Sequence, residues 1–139
     1  MAKRIFITGG PSTGKSSLAE KLAYQHGIKH VLNTDALIGL GWSEASEAAA
    51  RWMDEHADQD YIVEGCATAR TLRKWMRGKP GQPLPEGSSV YILNQPYEPQ
   101  SKPQQAMAKG MYTVLTEIYG EIVSRGGTFE QHTGDTTTP

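Results

Sequence analysis

The stretch FITGGPSTGKSSLAEKLA, residues 6–23, limits what this chain can fold into more than any other. A short β-branched and aromatic run, KRIFIT (3–8), stops at Gly9-Gly10-Pro11, and a helical pattern with Leu18 and Leu22 one turn apart begins at about Lys15. Gly9 and Gly14 bracket four residues, and Lys15 and Ser16 follow at once. Glycines let the backbone wrap so that successive N–H groups point inward, and the helix start adds positive potential, so the unit can cradle phosphates. The plainer alternative is a glycine-rich turn that merely enters a helix.

The remaining segments repeat the same rhythm. KHVLN (29–33) reads as a second strand, and SEASEAAARWMDEH (43–56) as an amphipathic helix with Ala45, Ala48, Ala49 and Trp52 on one face and Ser43 as its N-cap. DYIVEG (60–65) is a third strand, TARTLRKWMRG (68–78) a short helix and SSVYILN (88–94) a fourth strand. A long helix runs from about Pro103 to Ser124 with Met107, Met111, Val114, Leu115, Ile118 and Ile122 along one side, and TFEQH (128–132) is a weak last strand. Proline-rich stretches at 77–87 and 94–105 are loops. Alternation of this kind implies an α/β fold, three-layer α/β/α with a parallel, mostly five-stranded sheet, and ligands at the carboxyl ends of the strands. With 139 residues, 37% of them hydrophobic, the chain is one domain over 1–132, followed by a flexible tail at 133–139.

Several function classes drop out on composition. Net charge is −1, so bulk electrostatics advertise neither nucleic acid nor membrane, and such a partner must be met by a local patch. The single cysteine, Cys66, has no internal disulfide partner, and the N-terminal apolar run is too short for a signal peptide or membrane span, which points to the cytoplasm. The four histidines are scattered and offer no zinc spacing.

Gly9-x-x-x-x-Gly14-Lys15-Ser16 satisfies the P-loop pattern between a strand and a helix, so the chain resembles the P-loop NTPase superfamily. Its size and single sheet are similar to the nucleoside, nucleotide and polynucleotide kinase branch. No Asn-Lys-x-Asp guanine signature is present, and there is no space for the sensor segments of AAA-type motors. The resemblance implies that Gly9, Gly10, Pro11, Ser12, Thr13, Gly14, Lys15, Ser16 and Ser17 bind ATP. Lys15 would reach the β- and γ-phosphates, and Ser16 would offer its hydroxyl to Mg²⁺.

Two acids and a basic stripe then bear on the acceptor. Asp35, just past the second strand, would look into the same cleft as Lys15 from a neighbouring strand end, where it resembles the aspartate that activates or holds the acceptor hydroxyl in polynucleotide, shikimate and gluconate kinases; alternatively it caps a turn. Glu64 would stand in the Mg²⁺ shell, or merely end its strand. Arg70, Arg73, Lys74 and Arg77 fall at i, i+3, i+4, i+7 on one helix side. Such a stripe suits phosphates of a nucleotide or of DNA, or else is a solvated face. Arg70, which opens the helix, would orient the acceptor. Trp42 is either a stacking platform or a loop anchor, while Trp52 and Trp75 are core. The loop 94–105, where related kinases carry lid arginines, holds only Lys102.

Together these features predict an ATP-dependent kinase that moves a γ-phosphoryl group to a hydroxyl of a nucleoside, nucleotide or nucleic-acid substrate. It resembles the small phage kinases that act on polynucleotide ends or on 5-hydroxymethyluracil in DNA. A nucleoside-monophosphate kinase, a small-metabolite kinase and a P-loop ATPase switch without a small acceptor remain open. HTGDTTTP (132–139) supplies no readable base-binding side chain.

Overall fold

A computed structural model of the chain describes residues 2–132; the tail expected to be flexible at 133–139 lies outside the described residues. Strand β1 (Arg4–Gly9) is buried at every position, as its unbroken apolar run requires of a central parallel strand. It pairs in parallel with β3 (Tyr61–Glu64) on one side and β4 (Ser88–Leu93) on the other. The flanks are β2 (His30–Asn33) beyond β3 and β5 (Thr128–His132) beyond β4, giving the order β2-β3-β1-β4-β5. The chain turns to opposite sides of β1, so the crevice at its carboxyl end is the natural ligand position.

Helix α1 (Lys15–His26) covers one face, where Leu18, Ala19 and Leu22 pack on Ile5, Ile7, Ile62 and Leu93. Helices α2 (Trp42–Glu55), α3 (Thr68–Gly78) and α4 (Lys102–Ser124) cover the other, around Phe6, Tyr61, Val63, Leu72, Met76 and Met111. The three-layer α/β/α arrangement with five parallel strands is thus the one its sequence implies.

Local departures have identifiable causes. Ser43 does not cap α2: Gly41, with φ of 103°, occupies that place, and the helix opens at Trp42. The Ser43 hydroxyl instead accepts a hydrogen bond from Lys74 Nζ at 3.2 Å. Thr34–Leu40, expected as loop, winds into 3₁₀ turns because the Asn33 side chain accepts the Asp35 N–H at 2.8 Å. Of the apolar residues expected along one face of α4, Met111 through Ile122 are buried, but Met107 is half-exposed and lines the cleft described below. Ser101 and Gln104 form a capping box that starts α4 at Lys102.

The proline-rich segment after α3 is held by Arg125. Its Nη1 donates to Lys79 O (2.8 Å) and Gln82 O (3.1 Å), its Nη2 to Met76 O (3.2 Å), and its own carbonyl accepts from Leu84 N–H (2.9 Å). Replacing Arg125 with Ala leaves three carbonyls without this donor and is expected to cost about 2–3 kcal/mol in urea denaturation. Arg125→Lys recovers little, because one ammonium cannot reproduce the planar fork.

Candidate active site

The turn between β1 and α1 closes on itself and on α4. Thr13 Oγ1 donates to Gly10 O at 2.8 Å, and a Cβ on Gly10 would come within 2.5 Å of Ala108 Cβ. Gly10 is therefore glycine because the loop packs directly on α4. Gly14, at φ 89°, leads into α1 with no side-chain cap, so the N–H groups of the first helical turn have no intrahelical acceptor. Lys15 is buried, and its Nζ donates to Gly10 O at 2.7 Å, reaching back across the loop mouth where phosphate oxygens would offer stronger acceptors.

Behind the cradle, Ser16 Oγ donates to Glu64 Oε2 at 3.1 Å, while Glu64 Oε1 is buried without a partner. Burial raises the Glu64 pKa; the Ser16 hydrogen bond works against that, and Asp35 adds to it. An unpartnered buried carboxylate oxygen beside a serine hydroxyl fits a hard divalent cation or its water shell. No group of three or more His, Cys, Asp or Glu among the described residues forms a metal site, so such a cation would need phosphate oxygens and water to complete its shell.

Asp35 reaches this cleft by a route its position in the sequence does not suggest. Strand β2 is not next to β1; β3 lies between them. The 3₁₀ segment crosses back over the end of β3, where Asp35 Oδ1 accepts from Cys66 N–H (2.9 Å) and Thr34 Oγ1 accepts from Ala67 N–H (3.2 Å). Gly65 permits the crossing. Its φ is 133°, and a Cβ there would collide with Thr34 Oγ1 and lie 3.1 Å from Asp35 Oδ1. Asp35, Lys15 and Ser16 line one cleft of about 490 Å³, together with Ile38, Cys66 and Tyr97. The Cys66 thiol is pushed up to about 11, chiefly by burial, and is no nucleophile at neutral pH.

Sequence reasoning missed the strap over the loop. Tyr97 N–H donates to Ser12 O (2.8 Å), Ser12 Oγ donates to Glu98 Oε1 (3.1 Å), and the Gln100 side chain donates to Pro11 O. These bonds hold Ser12 at φ 60°, a left-handed conformation that costs a serine energy. The segment 94–101 is thus docked on the loop without arginine, and Tyr97, Gln104 and Met107 line the cleft. Only the proline content of the segment hinted at a fixed course.

Arg70 stands beside this cleft rather than among its lining residues. Its guanidinium lies over the Trp42 ring, 4.5 Å from the centroid, and its Nη1 is buried without a partner. Burial, then repulsion by Arg73, lowers its pKa, yet arginine stays charged. Arg73 and Arg77 both pair with Glu117 of α4, at 3.0 and 3.1 Å. The basic stripe is therefore divided: Arg73 and Arg77 meet α4, while Lys74 and Arg70 meet Ser43 and Trp42 at the start of α2. Trp75 is buried, whereas Trp52 is half-buried and stacks on His56.

No protein-family model matches the chain, and no curated protein does. Solved structures do. Shikimate kinase from Acinetobacter baumannii in complex with shikimate superposes with a TM-score of 0.51 and 14% identity, over 96% of this chain and 86% of that one. Shikimate kinase from Bacteroides thetaiotaomicron gives a TM-score of 0.49 at 14% identity, over 92% and 85%. The chain shares the fold of these kinases, with the loop 9–16, Asp35 and Glu64 gathered at the carboxyl ends of the strands. At this identity the likeness speaks for the fold alone. Among the described residues no helix is long and apolar enough to cross a membrane.

Two outcomes follow from this geometry. Gly65→Ala forces both a strained φ and a collision with Thr34, and is expected to cost about 2–4 kcal/mol in chemical denaturation. Because the Glu64 pKa is raised on folding, its favourable contribution is complete at pH below its unfolded value and is lost as pH rises through its folded value. Without added metal, Glu64→Gln should therefore raise Tm at neutral pH, with the gain shrinking as the buffer is acidified.

Proposed function

We propose that the chain is an ATP-dependent kinase that transfers the γ-phosphoryl group to a hydroxyl of a nucleoside, nucleotide or nucleic-acid component. The observation that carries this reading is the shared cleft of Asp35, Lys15 and Ser16. A phosphate acceptor is already anionic and needs only cations around it. A hydroxyl acceptor must lose a proton as it attacks, and a carboxylate facing the phosphate cradle can take it. With Oδ1 fixed by Cys66 N–H, the other oxygen of Asp35 is the one to receive that proton. The acceptor oxygen forms its bond to the γ-phosphorus as the bond to the bridging oxygen breaks and ADP departs.

Lys15 and the first-turn N–H groups of α1 would meet the charge on the β- and γ-phosphates. Ser16, with Glu64 behind it, would hold Mg²⁺, which when bound neutralises phosphate charge. Arg70 would orient the acceptor from its place beside Cys66. A strap without arginine would leave the approach to Asp35 open to a bulky acceptor such as a polynucleotide end or an extruded hydroxymethylated base, as in the phage kinases the sequence resembles. A second reading, a small hydroxylated metabolite as acceptor, is favoured by the fold of the shikimate-bound kinase.

Transfer of labelled phosphate from ATP to a panel of nucleosides, monophosphates, free-ended oligonucleotides, hydroxymethylated duplexes and shikimate tests the reading. At least one hydroxyl acceptor should be labelled. Asp35→Asn should lower that transfer about 10²–10⁴-fold while ATP binding persists, and Lys15→Ala should lower it at least about 10²-fold. ATP hydrolysis with every acceptor unlabelled would identify a switch-type ATPase instead.

A further inference from the structure

Next to the cleft, α2 and α3 line a smaller hollow of about 220 Å³, with Trp42, Ser43, Arg70, Arg73, Lys74 and Arg77 among its walls. No acid is among the residues lining it. Glu117 of α4 pairs with both Arg73 and Arg77. Lys74 finds only the neutral Ser43 hydroxyl. For Arg70 Nη1, buried, the protein supplies no acceptor at all. Buried or half-buried cations are ordinarily paired, and Arg70 and Lys74 here have no protein anion, so the hollow is arranged to receive one from outside.

Its location narrows the ligand. Arg70 is one helical turn beyond Cys66, which lines the phosphoryl-transfer cleft, so the hollow adjoins the place of the acceptor. Gly110 makes this possible, since a Cβ there would stand 3.1 Å from Arg70 Nη2 and crowd the guanidinium against Trp42. The Trp42 ring holds that guanidinium in place through a cation–π contact at 4.5 Å.

We infer that the hollow between Trp42, Arg70, Arg73, Lys74 and Arg77 binds a phosphate ester carried by the acceptor, so that the substrate is a phosphorylated molecule held by its phosphate while its hydroxyl lies in the cleft. This rests on the kinase reading for the word acceptor, but the anion site itself does not. The phosphate can belong to a mononucleotide or to the backbone of a polynucleotide.

Binding measured by calorimetry and tryptophan fluorescence, without ATP, decides it. The probes are thymidine, thymidine 3′-monophosphate and a ten-residue oligothymidylate with a free 5′-hydroxyl. The monophosphate is expected to bind at least tenfold tighter than thymidine. A further gain for the oligomer identifies a backbone phosphate as the source, and equal affinity identifies a monoester; either supports the site. Lys74→Ala/Arg77→Ala should weaken the phosphorylated probes about tenfold or more, and flatten the salt dependence of oligomer binding by about 0.7 in log–log slope for each cation removed from a phosphate. The control Lys3→Ala/Lys29→Ala removes the same charge elsewhere and should stay within twofold. Equal affinity for thymidine and its phosphate, or a Lys74/Arg77 variant indistinguishable from the control, overturns the inference. Phosphate binding that persists in a chain labelling no acceptor would retain the anion site and overturn the kinase reading alone; labelling with no phosphate preference would do the reverse.

Discussion

The candidate site depends on one crossing of chain segments. Two backbone N–H groups just past β3, on Cys66 and Ala67, hold Asp35 and Thr34, and Gly65 has no side chain to block them. Without that crossing the 3₁₀ segment would follow β2 outward to the sheet edge. The carboxylate would then be one strand too far from the phosphate loop to meet a nucleophile there. Helix α3 starts from the same turn, so the loop that seats Asp35 also aims Arg70.

Around that crossing, charge is distributed in a way that favours anions without making the molecule basic. Lys15 bridges the loop mouth, Glu64 waits half-satisfied behind Ser16, and the α3 cations are only partly offset by Glu117. Net charge is −1 all the same. The positive potential at the site thus arises from where charges are confined rather than from how many there are, because confinement in low-dielectric surroundings strengthens each interaction. The strap at Tyr97–Gln100 works by position too: it braces the loop from outside with backbone and amide groups, adding no cation of its own.

Much of this was legible in the chain. The Gly9–Ser16 spacing and the apolar strands announced a strand–turn–helix unit and a parallel sheet, since both are local patterns with a fixed physical meaning. Helix α1 runs over the residues expected of it. Ser43 misled because a glycine with positive φ outcompeted it as cap, and Met107 because helical periodicity cannot say where the core ends and a cleft begins. Tyr97 and Gln100 carried no chemical signature that would single them out of a proline-rich loop. Their importance lies in hydrogen bonds to Ser12 and Pro11, remote in sequence.

Local sequence determined the elements and the anion cradle, because periodicity, glycine placement and helix polarity act over a few neighbouring residues. The tertiary structure decided which side chains share a space: that β3 separates β2 from β1, that Asp35 nevertheless lines one cleft with Lys15, and that the basic stripe divides between Glu117 of α4 and the Trp42 end of α2. Strand order and close backbone approach are set by the packing of segments remote in sequence, and no short pattern encodes them.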